Sequence, residues 1–229
     1  MRFLTTILAS LFLATTALAA PSPPAGEAPM RVGVVVFDGF LTSEVSAPLE
    51  VFAKASSKGP LKFEVMTVAA EKKTVTSEEG LRLQPDVDFA SSPALDILIV
   101  PSSLDVEGLM ADQAAVEFIR KQGAQAAYLA SNCAGAFLLG KAGLLDGRRV
   151  TTYIGGNADL QNKFPKAKVI DGKHIVVDGN LVTSIGGVTT YDATLTMLER
   201  ITSPDLANKV ADALYYFPWL ERASPGETP

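Results

Sequence analysis

The sequence predicts an α/β domain in which a parallel sheet is wrapped by helices on both faces. Three observations lead there. Short β-branched and apolar runs without polar alternation recur along the chain, as strands buried on both faces require. The segments between them repeat apolar residues at helical spacing, and alternation of strand with helix builds parallel sheets. The one cysteine, Cys133, stands where such a run meets a helix with no loop between them.

The 229 residues, 48% of them hydrophobic, suit one large domain whose core needs neither disulfide nor metal. The formal net charge is -5 with both signs dispersed, and no basic stripe is interleaved with aromatics, which argues against a nucleic-acid partner. No His, Cys, Asp and Glu cluster has zinc spacing and no strand leads into a GxGxxG turn, so neither a metal nor another cofactor is expected.

Residues 1–20 read as a signal peptide: Arg2 supplies the charge, an apolar run follows to Leu18, and Ala17 and Ala19 mark cleavage after Ala19 or Ala20. The alternative, an uncleaved anchor, is disfavoured because spanning takes about 20 apolar residues. The mature protein is therefore expected to be periplasmic or secreted and free of the membrane. Residues 21–30 form a Pro-rich tether, residues 31–218 the domain, and residues 219–229 a tail.

Within the domain, residues 31–37 are a buried strand broken by Asp38-Gly39, and residues 43–56 place Val45, Leu49, Phe52 and Ala53 on a helix. A second strand covers 63–69, and residues 72–83 read as a small hairpin around Gly80. Strand 95–100 ends at Pro101, helix 111–122 at Gly123, and strand 126–130 leads into Cys133. A small-residue helix at 134–142 stops at Gly143. Beyond it come a short strand at 150–153, a helix at 157–164, and a strand at 169–170. Residues 174–178 and 181–184 make a hairpin turning at Asp178-Gly179-Asn180, and helices 189–201 and 205–217 close the domain. Trp219 and Tyr215-Tyr216 are expected to pack, with dimer contact as the other possibility.

Export invites disulfides, yet a single cysteine cannot form one within the chain. Its surroundings, Ser131-Asn132-Cys133-Ala134-Gly135, fit a nucleophile elbow, which needs small residues two before and two after the nucleophile. Such a corner projects the sulfur clear of the backbone and puts it at a helix N-terminus, where dipole and free N–H groups favour a thiolate. A packed, inert cysteine is the alternative, because free cysteines are among the most buried residues. Glu44 follows the first strand by a short loop. In an open α/β sheet it reaches the same edge as Cys133, unless it is merely an acid stabilising a helix start.

Phe37-Asp38-Gly39-Phe40 with residues 44–52 (EVSAPLEVF), the elbow at 131–135 with residues 138–152 (LLGKAGLLDGRRVTT), residues 177–184 (VDGNLVTS) and Tyr191-Asp192-Ala193 together resemble the ThiJ/PfpI superfamily. The likeness is to its isonitrile hydratase-like and regulator-associated branch, and it runs from about residue 31 to residue 216. It implies a flavodoxin-like, class I glutamine-amidotransferase-like fold, a homodimer, a reactive Cys133, and Glu44 as its proton-sharing acid. Three departures from that pattern stand out. Tyr153 occupies the place of a histidine common after the paired threonines; its phenol can lend a hydrogen bond but is a poor base. Glu44 and Ala134 replace the aspartate and threonine of isonitrile hydratases. Pro101-Ser102-Ser103 replaces a Pro-Gly-Gly turn, leaving N–H groups near Ser102, Ser103 and Ala134 to hold an anion. The only histidine, His174, is expected at the surface. Two functions follow: a Cys-dependent enzyme acting on a small electrophile, or a sensor whose thiol meets an oxidant or ligand.

Overall fold

The computed structural model describes residues 28–223; residues 1–27, which hold the expected signal peptide and most of the expected tether, and residues 224–229 lie outside the described residues. The strands are β1 (Met30–Val35), β2 (Phe63–Ala69), β3 (Val75–Thr76), β4 (Arg82–Leu83), β5 (Val87–Asp88), β6 (Ile97–Val100), β7 (Tyr128–Asn132), β8 (Arg149–Val150), β9 (Lys168–Val169), β10 (Ile175–Asp178) and β11 (Leu181–Ser184). The helices are α1 (Thr42–Lys58), α2 (Val106–Ala111), α3 (Gln113–Gly123), α4 (Gly135–Lys141), α5 (Asn157–Lys163), α6 (Thr189–Ile201), α7 (Pro204–Ala213) and α8 (Phe217–Ala223).

Seven strands form one sheet in the order β10-β11-β7-β6-β1-β2-β5, parallel except at the β10–β11 hairpin. Leaving out the edge strands, the order β2-β1-β6-β7-β11 is the flavodoxin-like winding, whose switch point lies between β1 and β6. The apolar runs lack polar alternation because both faces are covered. Val32, Val34, Ile97, Ile99, Tyr128 and Ala130 point into the core under α1, α6 and α7. Val35, Leu98, Val100 and Leu129 point into the core under α3, α4 and α5. Each fully buried aliphatic side chain contributes about 1.5–3 kcal/mol, so this two-sided burial is the main force holding the strand ends in register.

Three elements depart from the sequence expectation. The helix expected at 111–122 is α3 and starts at Gln113, because Asp112 ends the separate α2 before it and caps α3, accepting from Ala114 and Ala115 N–H at 3.0 Å. The strand expected at 150–153 stops at Val150; Thr151 and Thr152 instead hydrogen-bond to Thr183 Oγ1 and to the Cys133 carbonyl. The closing helix breaks at Tyr215, which has φ 54 and is 79% exposed rather than packed. Chain order then continues past residue 218: α8 carries Trp219, 3% exposed, whose Nε1 donates to Asn208 Oδ1 at 2.9 Å.

Candidate active site

The carboxyl ends of β1, β6, β7 and β11 lie side by side, and the segments leaving them meet over the switch point. From β1 comes the loop to α1 with Glu44, and from β6 comes Pro101-Ser102-Ser103. Cys133 follows β7, and Gly186-Gly187 follow β11. The β1 and β6 loops are tied to each other, with a bridge between Phe40 and Ser103 and Leu41 N–H donating to Ser102 C=O at 3.2 Å.

Cys133 is a nucleophile elbow in geometry. Its φ of 49 lies in the left-handed region, which costs a non-glycine residue about 1–3 kcal/mol and persists only when its surroundings enforce it. Here its N–H donates to the Ser184 carbonyl at 2.9 Å while its C=O accepts from Thr152 Oγ1 at 2.7 Å. Ser184 is itself anchored by donating to Asn132 Oδ1 at 2.7 Å. The need for a small residue two positions on is literal: a Cβ at Gly135 would lie 2.3 Å from the Val100 carbonyl oxygen.

Glu44 is 0% exposed and aims inward from the first turn of α1. One carboxyl oxygen, Oε2, accepts from Ser102 N–H at 2.7 Å, and the other, Oε1, from Gly187 N–H at 3.1 Å. Gly186, with φ +83, fills the gap between the acid and the cysteine. A Cβ there would lie 2.2 Å from Glu44 Oε1 and 2.4 Å from Cys133 Cβ, so those two atoms are no further apart than the two distances combined. Only glycine lets the acid and the thiol come this close.

Burial pushes the Glu44 carboxyl above its ordinary range, an effect that Ser102 and the Gly187 amide partly offset. Burial also pushes the Cys133 thiol up, and the nearby Glu44 charge adds to it; the Ser102 hydroxyl and the Ala134 N–H pull the other way. This reverses the expectation that the helix start alone leaves the thiol low. Ionising either group opposes ionising the other, so the two titrate as a pair.

The expected anion-holding groups are rearranged. The Ser102 amide is committed to Glu44, whereas its hydroxyl is buried, makes no hydrogen bond of full geometry, and lies close enough to influence both Glu44 and Cys133 electrostatically. Ser103 Oγ accepts from Asp105 N–H at 3.2 Å and is engaged with the approach to α2. The Ala134 N–H faces the sulfur. Tyr153 is half-buried and stacked on Phe137, with ring centroids 6.0 Å apart; burial, then Asp159 and Cys133, hold its phenol above its usual range. His174 is exposed, and it is its backbone carbonyl that accepts from Ile185 N–H, at 2.9 Å. Sequence reasoning had no means of finding Thr152, Ser184 or the Gly187 amide as supports of the site, since hydroxyls and backbone groups leave no local pattern. Among the described residues, no group of three or more His, Cys, Asp or Glu is arranged to hold a metal ion, and no helix is long and apolar enough to cross a membrane.

The sheet order and the elbow define a flavodoxin-like protein with a cysteine and a buried acid at its switch-point crevice. The chain belongs to the DJ-1/PfpI family, whose model matches residues 30–200. It is 35% identical to an isonitrile hydratase of Pseudomonas putida over 82% of this chain and 79% of that protein. It is 25% identical to the HTH-type transcriptional regulator GbdR of Pseudomonas aeruginosa PAO1 over 85% of this chain, but spans only 53% of that relative's length. Among solved structures it is similar to a ThiJ/PfpI family protein from Pseudomonas syringae (TM-score 0.73, 23% identity, covering 91% of this chain and 84% of the other). Drosophila melanogaster DJ-1beta is similar too (TM-score 0.72, 23% identity, covering 82% of this chain and 98% of the other).

Proposed function

We propose that this protein is an exported, homodimeric, Cys-dependent enzyme that hydrates a small electrophile of the isonitrile type. The observation that carries the reading is the pairing of strained Cys133 with fully buried Glu44 across Gly186. Likeness to an isonitrile hydratase over most of both chains supports the substrate class. In the first step sulfur attacks the terminal carbon of R–N≡C, forming the S–C bond, while Glu44 takes the thiol proton and delivers it to that carbon. The thioimidate R–N=CH–S–Cys133 results. Water then adds to the same carbon with one proton passing through Glu44, the C–S bond breaks, and the thiol is regenerated with an N-substituted formamide as product. The Ser102 hydroxyl and Ala134 N–H are the groups placed to steady charge at the reacting centre.

A second reading, a thiol sensor, is favoured by one feature: no imidazole assists the cysteine, since His174 is exposed. Oxidation of a thiolate needs no turnover machinery. Purified protein is offered a panel of isonitriles and, separately, mild peroxide. Formamide formation that Cys133→Ser abolishes supports the enzyme. Stoichiometric sulfinate at Cys133 with no turnover of any isonitrile would replace it with the sensor.

A further inference from the structure

The first turn of α1, which presents Glu44, is not closed by its own residues: Leu41 at the N-cap has no side chain able to accept a hydrogen bond. The missing acceptor comes from far along the chain. The β3–β4 hairpin and its turn form a strap against the β1–α1 loop, with Gly39 N–H donating to Thr76 C=O at 2.8 Å and Glu78 N–H to Phe40 C=O at 3.0 Å. Asp38 Oδ1 accepts from Thr76 N–H at 2.8 Å. At the strap's tip, Glu79 Oε2 accepts from both Thr42 N–H (3.0 Å) and Thr42 Oγ1 (2.6 Å), and Thr42 Oγ1 also lies 2.7 Å from Ser77 Oγ.

We propose that Glu79 is a positioning residue: it clamps the N-terminus of α1 from the strap and thereby holds Glu44 against Cys133. The inference deepens the reading of Glu44 and Cys133 as a working pair and rests on it. Thr42 is two residues before Glu44, so a clamp on its amide sets the rotation of the turn from which the acid projects. The clamp also carries charge. Glu79 is held ionised by its hydrogen bonds to Thr42, and its negative field reaches Glu44. Among the described residues, two ionisable groups face Glu44: Cys133 from the elbow and Glu79 from the strap. The β6 loop and the turn before α6 offer it a serine and two backbone amides.

The test measures the alkylation rate of Cys133 by iodoacetamide against pH in the full chain, where a single thiol makes the readout unambiguous. Variants are Glu79→Gln, Glu79→Ala and, as a charge control on the same strap, Glu78→Gln. Glu79→Gln keeps an acceptor but removes the charge, so the Glu44-linked inflection moves to lower pH; in Glu79→Ala that inflection weakens or vanishes. Glu78→Gln leaves the profile in place. Should Glu79→Ala fail to fold, Glu79→Gln decides alone. Wild-type profiles in both Glu79 variants, beside a changed profile in Glu44→Gln, overturn the clamp and leave the pair standing. An unchanged profile in Glu44→Gln overturns the pair itself, and the clamp with it.

Discussion

Replacing Gly186 by alanine drives a methyl group between Glu44 and Cys133. Two costs add. A φ of +83 disfavours an L-residue by about 1–2 kcal/mol. The new Cβ would sit 2.2 Å from Glu44 Oε1 and 2.4 Å from Cys133 Cβ, and overpacking of that kind costs about 1–3 kcal/mol more. Gly187 supplies the comparison, since its φ is +58 but a Cβ there meets nothing within 4 Å. Gly187→Ala should therefore lose only the backbone part, about 1–2 kcal/mol, against about 2–5 kcal/mol for Gly186→Ala. Urea unfolding at neutral pH measures both losses. Iodoacetamide alkylation reports the thiol, whose rate must change in Gly186→Ala as the acid is pushed off. If Gly186→Ala is no less stable than Gly187→Ala and alkylates at the wild-type rate, the close approach of acid and thiol is wrong.

Thr152→Val removes the hydroxyl that donates to the Cys133 carbonyl at 2.7 Å, leaving that part-buried acceptor only the long hydrogen bond from Ala136 N–H at 3.5 Å. A loss of about 1–3 kcal/mol by urea unfolding is expected, with faster exchange of the Cys133 amide; no loss would mean the elbow is held elsewhere. Gly135→Ala meets the Val100 and Pro101 carbonyls at 2.3 and 2.8 Å, both backbone and unable to yield cheaply. It should lower stability by about 1–3 kcal/mol or prevent folding, measured by urea midpoint or soluble yield. The raised carboxyl of Glu44 also makes stability depend on pH. A folded-state pKa above the unfolded one stabilises fully below the unfolded value, and the contribution is lost as pH rises through the folded value. Wild-type minus Glu44→Gln stability should therefore decline from acid toward neutral pH; a flat difference refutes the shift.

The strands were legible because burial on both faces writes itself as unbroken apolar runs, as in residues 95–100 and 126–130. The elbow was legible because its geometry restricts the residue types around Cys133, and Gly135 against Val100 C=O is the contact behind that restriction. Glu44 was legible only through family likeness: on its own, an acid in a helix's first turn has an ordinary explanation. Its true partners are backbone amides of Ser102 and Gly187, the latter 143 residues away, and amides carry no sequence signal. The same distance problem hid Glu79, whose partner lies 37 residues upstream. The thiol's direction of shift was misjudged because the strand-to-helix corner at Cys133 points to helix-start electrostatics. Burial and a neighbouring carboxyl, visible only in three dimensions, outweigh the Ser102 hydroxyl and the Ala134 N–H.

The pairing of Glu44 with Cys133 is tested most directly by titrating the lone thiol, through thiolate absorbance or alkylation rate, in the wild-type protein and in Glu44→Gln. The account predicts a wild-type thiol ionising above the ordinary cysteine range and a lower apparent pKa once the carboxyl charge is gone. Superimposable titration curves for the two proteins would contradict it.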